Sequence, residues 1–532
     1  MGSSKSSIVV LTLLSFFVFS VTCATSSTLE DNFIQCLSLQ QPSIPIPIYT
    51  QSNPSFTSIF LSSARNLRFV SAATPKPLLI ILPSDESHIQ AAIVCCRKQG
   101  LDLKVRSGGH DVEGLSYVSD APFIIADLVN FRSININLQD NTAWVQAGAN
   151  LGEVYYRISE KSKTLGFPAG FCPAVGVGGH FSGGGFGALV RKYGLAADQV
   201  IDARLVNVDG KILDRQSMGE DLFWAIRGGG ASSFAVVLSW KINLVPVPPI
   251  VTVATVDRTL QQGATRLVLK WQFIADKLDE DLYIGVTPTV VNIPTQGGQQ
   301  RTVVASFSIL FLGRVDELLQ LMQVSFPELG LTRNDTAEMS WVESHVYFYA
   351  RGRPVEEVLL DRDDSQTKIF LKVKTDYVKI PISEIALEGI WRKFMEEEMA
   401  TMLWTPFGGR MNEISEFALP YPHRIGNIFN ILYVAGWQDE SQSVQKIDWL
   451  RTFYDYMTPY VSKFPRTAYL NYKDLDLGTN IDGVFSYLNA RTWGVKYFKS
   501  NFERLVYVKT KVDPSNFFKN KQSIPPFIRF GN

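Results

Sequence analysis

The stretch Gly166-Phe167-Pro168-Ala169-Gly170-Phe171-Cys172-Pro173-Ala174-Val175-Gly176-Val177-Gly178-Gly179-His180-Phe181-Ser182-Gly183-Gly184-Gly185-Phe186-Gly187 decides how this chain is read. Nine of these 22 residues are glycine, yet the stretch has little of the polar filler of a flexible linker. Glycine at this density lets backbone N–H groups approach a ligand closely, as the pyrophosphate of a dinucleotide requires. The spacing departs from the dinucleotide fingerprint of a parallel βαβ unit. After Gly176-x-Gly178 a phenylalanine, Phe181, stands where the last glycine belongs, and no strand leads directly into the motif. A phosphate loop is excluded as well, because no Gly-Lys-Ser/Thr follows. The candidate cofactor contacts here are Gly176, Gly178, Gly179, His180, Ser182 and Gly183.

Two shorter glycine clusters lie on either side. In Arg106-Ser107-Gly108-Gly109-His110-Asp111 the paired glycines permit positive φ and close backbone approach to phosphate oxygens; a tight surface turn is the competing reading. Arg227-Gly228-Gly229-Gly230 follows a helix that carries Trp224. Around these clusters short apolar runs alternate with helical stretches. Residues 78–82 and 123–126 read as buried strands, and residues 88–99 as a helix. Residues 206–213 read as a hairpin turning at Asp209-Gly210. The alternation predicts an α+β or α/β unit, closed by a boundary at Pro246, Pro248 and Pro249. Beyond it, Val303, Ala305, Phe307, Ile309 and Phe311 recur with the period of a strand, and residues 316–323 read as a helix. Ser383 is placed to cap a helix whose apolar face is Leu387, Ile390, Trp391, Phe394 and Met395. This second part also reads as α+β.

Lys plus Arg equals Asp plus Glu, 51 each, which argues against nucleic acid or a membrane surface as the main partner. Near the N-terminus, Lys5 precedes an apolar run over residues 8–19 and then small residues at 22–25. That pattern predicts a cleaved secretory signal over residues 1–24, too short to span a bilayer, and no later stretch is long and apolar enough to do so. The secretory route is expected to end in the apoplast, the vacuole or a vesicle derived from the endoplasmic reticulum. An oxidising compartment permits a disulfide between Cys36 and either Cys95 or Cys96. Asn334-Asp335-Thr336 is a glycosylation sequon and reads as a surface site.

Residues 106–111, 172–187 and 219–230, with the tail Asn516-Phe517-Phe518 and Gln522-Ser523-Ile524-Pro525-Pro526, resemble the plant berberine bridge enzyme-like family. These are FAD-linked oxidases with the vanillyl-alcohol-oxidase-type flavin fold, and the motifs are most similar to cannabinoid synthase, mulberry oxidase and Diels-Alderase type members. Four separated motifs in the same order cover nearly the whole mature chain. The resemblance implies an α+β protein with a two-part FAD-binding domain at 25–249 (core 75–249). A substrate domain with an antiparallel sheet follows at 250–470, and a C-terminal segment at 471–532 returns to the FAD domain. It implies FAD bound twice covalently, through the 8α-methyl carbon to His110 and through the 6-position to Cys172, with Arg106, Ser107, Gly108 and Gly109 among the cofactor contacts. Imidazole and thiolate are suitable nucleophiles for an electron-poor flavin, and two attachments withdraw electron density and favour hydride uptake. The resemblance also pairs Cys36 with Cys95, leaving Cys96 as a thiol.

The family's chemistry implies hydride transfer from substrate carbon to flavin, a base that takes a proton, and dioxygen reduced to hydrogen peroxide. Val175 matches the oxygen-access position that is small in oxidases, and Tyr472 matches a tyrosine used as the base. Phe186, Asn430, Leu432, Val304 and Val112 stand where relatives place hydrogen-bonding or titratable groups; the first four are the expected substrate pocket. Such a pocket favours an apolar, aromatic or prenylated substrate over a sugar, whose hydroxyls it would leave unpaired. The leading expectation is a monomeric, secreted oxidase of a plant specialised metabolite, a prenylated phenolic or an alkaloid, using FAD and O2, with or without ring closure. The competing readings are a pericyclase whose flavin is structural, a carbohydrate oxidase, and a flavin-binding defence protein without enzymatic activity.

Overall fold

The apolar run at 78–82 forms the strand Leu79–Ile81, all three residues fully buried. In this computed structural model residues 28–40, 44–295, 298–363, 368–480 and 486–527 are described; the predicted signal over 1–24 lies outside them. Leu79–Ile81 pairs in parallel with Phe123–Asp127, which pairs in parallel with Asp102–Arg106, and Ile48–Thr50 adds an antiparallel edge. The helix Glu86–Gln99 starts where the Asp85 side chain accepts from the Ser87 N–H and stops at Gly100, whose φ of 67° suits a residue without Cβ. Its Cys95 is bonded to Cys36 of the helix Leu29–Leu39, as the family resemblance implied, while Cys96 stays a buried thiol whose pKa burial pushes up. The bridged residues are 59 apart. Replacing both by alanine is expected to cost about 4 kcal/mol in the chain-entropy model. A urea titration of the double variant checks this.

A second, antiparallel sheet runs Ile134–Asn137, Thr142–Gln146, Val236–Asn243, Val200–Val206, Ile212–Leu213. Its last pair is the predicted hairpin, with Val206 opposite Ile212 and Gly210 at φ 74°. At the proline cluster the short strand Val245–Pro246 pairs with Leu165–Gly166, and Val251–Thr259 then opens the next sheet.

That sheet has seven antiparallel strands in the order Thr336–Met339, Val251–Thr259, Gly298–Phe311, Leu282–Thr295, Ala400–Pro406, Phe429–Trp437, Phe370–Val378. Side chains alternate between its faces. Ile284, Val286, Phe307, Ile309, Trp404 and Ile431 form one core with the helices Ala264–Ile274, Val315–Ser325, Glu384–Phe394 and Ser443–Tyr456. The opposite face carries Tyr283, Leu403, Thr405, Leu432 and Thr375 towards the glycine-rich unit, where Tyr283 sits 6.0 Å from Phe171, ring to ring. The C-terminal helices Tyr487–Phe498 and Asn501–Val512 pack into the core of the glycine-rich unit. There the fully buried Lys509 ammonium donates to the carbonyls of Ser233 and Phe518 and to Asp513.

Candidate active site

The strand Asp102–Arg106 delivers the loop 107–111 to the site. Arg106, expected among the cofactor contacts, spends its buried guanidinium within the protein: it donates to Asp127 at 2.9 and 2.6 Å and to the carbonyls of Phe60 and Ile59 at 2.7 Å. It holds up the loop instead, and the Ser107 hydroxyl does the same by donating to the Ala147 carbonyl at 2.6 Å. The two main glycine segments then lie backbone against backbone. A Cβ on Gly108 would sit 2.4 Å from the Gly176 nitrogen, and one on Gly109, at φ 69°, would sit 1.6 Å from the Ser63 carbonyl oxygen. Gly176 begins the short helix Val177–Ser182, where Gly178 closes on Ala147 but Gly179 has nothing within 4 Å of its would-be Cβ. The Ser182 carbonyl accepts from Gly228 and Gly230 at 2.7 and 2.9 Å, which ties in the third glycine run. Gly183 is pressed against Asn471, whose amide donates to the His180 carbonyl at 2.9 Å.

His110 is set in this frame with its Nε2 buried and, among the described residues, without a hydrogen-bond partner. Burial pushes its pKa down to about 3, with Arg65 adding, against a backbone hydrogen bond at Ala174. The imidazole is therefore neutral, with a lone pair available to form a bond. His180, also held neutral by burial with a pKa of about 4, accepts from the Gly170 N–H at 3.1 Å. The Cys172 thiol is half-buried and lies 3.9 Å from the Tyr349 hydroxyl. Tyr349 and His110 line one cleft of about 560 Å³ together with Arg65, Leu403 and Val434, and Cys172 reaches that cleft's edge through its contact with the Tyr349 hydroxyl. Val175 is fixed in the turn after Cys172: its N–H donates to the Cys172 carbonyl at 3.3 Å and its carbonyl accepts from Leu151 at 2.9 Å.

The neighbouring wall is aromatic. Phe186 stacks on Tyr469 with centroids 4.7 Å apart and meets Tyr472 edge-on at 6.2 Å and Phe407 at 5.6 Å. Tyr469 accepts from the Gly185 N–H at 2.8 Å, and the hydroxyls of Tyr377 and Tyr421 are 2.8 Å apart. Burial pushes the Tyr472 pKa up to about 12, the Cys172 thiol adding to the shift. Tyr472 is a neutral phenol at physiological pH.

The remaining pocket candidates divide. Leu432 lies on the cleft-facing side of the sheet, opposite Leu403. Asn430 is on the same strand, but its buried amide donates to Thr375 Oγ1 at 3.0 Å and to the Asp376 carbonyl at 2.9 Å, so its polarity is spent inside the sheet. Val304 pairs with Thr289 and Thr259, two strands away from Leu403 on the other side of the central strand. Asn334 is exposed in the turn Arg333–Asp335. Tyr349 and Tyr283 escaped sequence reasoning, since no local motif marks them, and Phe171 was given no role within its glycine-rich stretch; only the packing of the two units brings the three together.

Residues 77–215 match the FAD binding domain family, and residues 468–525 match the berberine and berberine-like family. The chain is 64% identical over 535 residues to tetrahydroberberine oxidase of Argemone mexicana, covering 100% of this chain and 98% of the relative. The structure of berberine bridge enzyme from Eschscholzia californica superposes with a TM-score of 0.88 at 40% identity, covering 94% of this chain and 100% of that one. The grass pollen protein Phl p 4, at 44% identity and a TM-score of 0.88, covers 93% of this chain and 100% of that one. Its wild type is described as a glucose dehydrogenase and its isoleucine-to-valine variant as a glucose oxidase. The orphaned His110 nitrogen, the Cys172 thiol beside Tyr349 of the same cleft and the side-chain-free glycine cradle fit FAD as the bound group.

Proposed function

The chain belongs to the berberine bridge enzyme-like family of FAD-binding oxidases, and on that premise we propose that it oxidises a tertiary amine of the tetrahydroberberine type, with FAD attached through both His110 and Cys172. Bound FAD would accept a hydride equivalent and pass the electrons to dioxygen, giving hydrogen peroxide. The observation that carries this reading is the aromatic wall in which Tyr472 stays a neutral phenol. Oxidation of an alcohol or phenol needs a group that takes the hydroxyl proton. A tertiary amine does not, because the nitrogen lone pair forms the C=N bond as the adjacent C–H bond breaks, leaving an iminium ion. The rings of Phe186 and Tyr472 and the sheet residues Leu403 and Leu432 then supply an apolar, π-rich surface for a flat polycyclic amine, and ring faces stabilise the cation that forms. Neutral His110 and His180 add no repelling charge. Val175 supports access for dioxygen, in keeping with what an isoleucine-to-valine change does to Phl p 4. The bridge between Cys36 and Cys95, the exposed Asn334 and the N-terminal pattern support passage through the secretory route.

Anaerobic mixing with tetrahydroberberine is the direct test: the flavin absorbance should bleach and, on admitting air, return with release of peroxide. A flavin that stays oxidised while a substrate cyclises would favour the pericyclase reading instead. Tyr472→Phe separates the mechanisms. If the lone pair drives the reaction, the variant loses less than about tenfold in kcat, whereas loss of a general base costs about 10²–10⁴-fold. The pH profile gives the same answer. With the histidines neutral and Tyr472 protonated throughout pH 5–9, kcat/KM should rise once, with deprotonation of the free amine, and then stay level.

A further inference from the structure

Three chain segments that are far apart in sequence meet at a buried cluster of charges. Lys372 and Lys374 stand on one face of the strand Phe370–Val378, and Glu113 and Asp474 close on them, all four no more than 4% exposed. The Lys372 ammonium donates to Glu113 Oε1 and, at 2.7 Å, to Asp474 Oδ1. Lys374 donates to Asp474 Oδ2 at 2.7 Å and pairs with Asp476 at 2.9 Å. Glu113 also accepts from the Leu475 N–H at 3.3 Å and lies 3.6 Å from Arg68.

The position of these residues along the chain gives the cluster its meaning. Glu113 follows His110 by three residues, and the intervening turn is stiff: Asp111 Oδ1 accepts from the N–H groups of Glu113 and Leu115, and the Val112 carbonyl accepts from Asn66 at 2.7 Å. Asp474 follows Tyr472 by two residues, and its own N–H is held by the Tyr497 hydroxyl at 3.0 Å. Lys372 alone touches both carboxylates, whereas Lys374 touches only the Tyr472 side. Two carboxylates sharing one ammonium in a buried site tolerate little displacement, because moving either leaves buried charge short of a partner.

We propose that Lys372 is a positioning residue for the flavin: through Glu113 and Asp474 it fixes the separation between the loop bearing His110 and the segment bearing Tyr472, and so the pose of the ring against the substrate wall. The inference rests on His110 carrying the flavin. Unmodified protein with no flavin on the His110 peptide would sink that attachment on its own, before any variant is compared.

The test uses full-length protein carrying Lys372→Met, Lys372→Arg or Lys374→Met, read by peptide mapping of attached flavin, visible circular dichroism of the flavin, melting temperature and rapid-reaction kinetics. Both methionine variants should melt several degrees lower. Only Lys372→Met should also lose flavin from the His110 peptide, change the flavin dichroism and reduce its flavin about tenfold more slowly at saturating amine with little change in KM, since small misplacement of reacting groups is costly in rate. Lys372→Arg, which keeps the charge, should restore the dichroism. If Lys372→Met does not fold, Glu113→Gln breaks the same bridge from the loop side and should show the same spectral change. Methionine variants that lose stability alike while both keep the attachment and the dichroism, or that lose both alike, would overturn the proposal.

Discussion

Protein in which His110 and Cys172 are both alanine should fold, bind FAD without a covalent bond and release it into the supernatant on acid precipitation. Each single variant should keep its flavin on the remaining residue. The fold should survive because neither side chain supports it. Among the described residues the His110 Nε2 is buried with no partner, so truncation breaks only the ring's hydrogen bond to the Ala174 backbone, and the Cys172 thiol is half-buried beside Tyr349. Truncating a group in that state costs about 1 kcal/mol or less, far below the loss of a core side chain. The chemical effect should be much larger. Each attachment withdraws electron density from the ring, so loss of both lowers the potential, and about 30 mV in a two-electron couple is a tenfold change in equilibrium constant. A fall of about 60 mV is then about a 100-fold change in the equilibrium for flavin reduction, and it slows reduction by the amine by up to that factor. Potentiometry and anaerobic stopped-flow on the three variants check the two quantities separately. Free FAD from the unmodified protein, or a double variant that matches it in potential, would remove the argument.

The parts of this molecule that were legible in the sequence are those specified locally. Alternation over residues 303–311 marked the strand Gly298–Phe311, and Ser383 marked a helix start that the structure repeats, its hydroxyl accepting from the Ala386 N–H. The strand Leu282–Thr295 was missed because Pro288 and Pro294 interrupt a pattern that otherwise reads as extended. In the site, glycine density exposed the cradle, since only close backbone contact explains Gly108 against Gly176. What Arg106 and Asn430 do was hidden. Both are polar residues beside a motif, and both spend their donors on partners 21 to 55 positions away that no local pattern names. Tyr472 shows the same limit: its place was visible, but the burial that keeps it neutral is set by Phe186, Tyr469 and the Cys172 turn.

Two alanine substitutions three residues apart should behave in opposite ways, and the contrast tests whether the cradle holds the cofactor. At Gly176 the new Cβ would lie 2.2 Å from the Gly108 nitrogen and 2.1 Å from Ser107 Oγ. The hydroxyl could turn away, but the backbone nitrogen is fixed by the loop that Arg106 anchors at four points. Gly176→Ala must therefore separate the two glycine segments, and a cost above about 4 kcal/mol, with little soluble flavoprotein, is expected. Gly179 is the opposite case. It lies within the helix Val177–Ser182, its φ is not positive, and its would-be Cβ meets nothing within 4 Å. Judged on the polypeptide alone, Gly179→Ala should be neutral or stabilising by up to about 1 kcal/mol. If the open space beside it belongs to FAD, the same methyl group intrudes on the cofactor. In the His110→Ala, Cys172→Ala background, from which flavin can be stripped, the change should then leave the melting of the flavin-free protein unaltered, yet on its own Gly179→Ala should carry less FAD per chain when purified. Full flavin occupancy in a stable Gly179→Ala protein would mean that FAD lies elsewhere along the cradle, and that the opening at Gly179 faces only solvent.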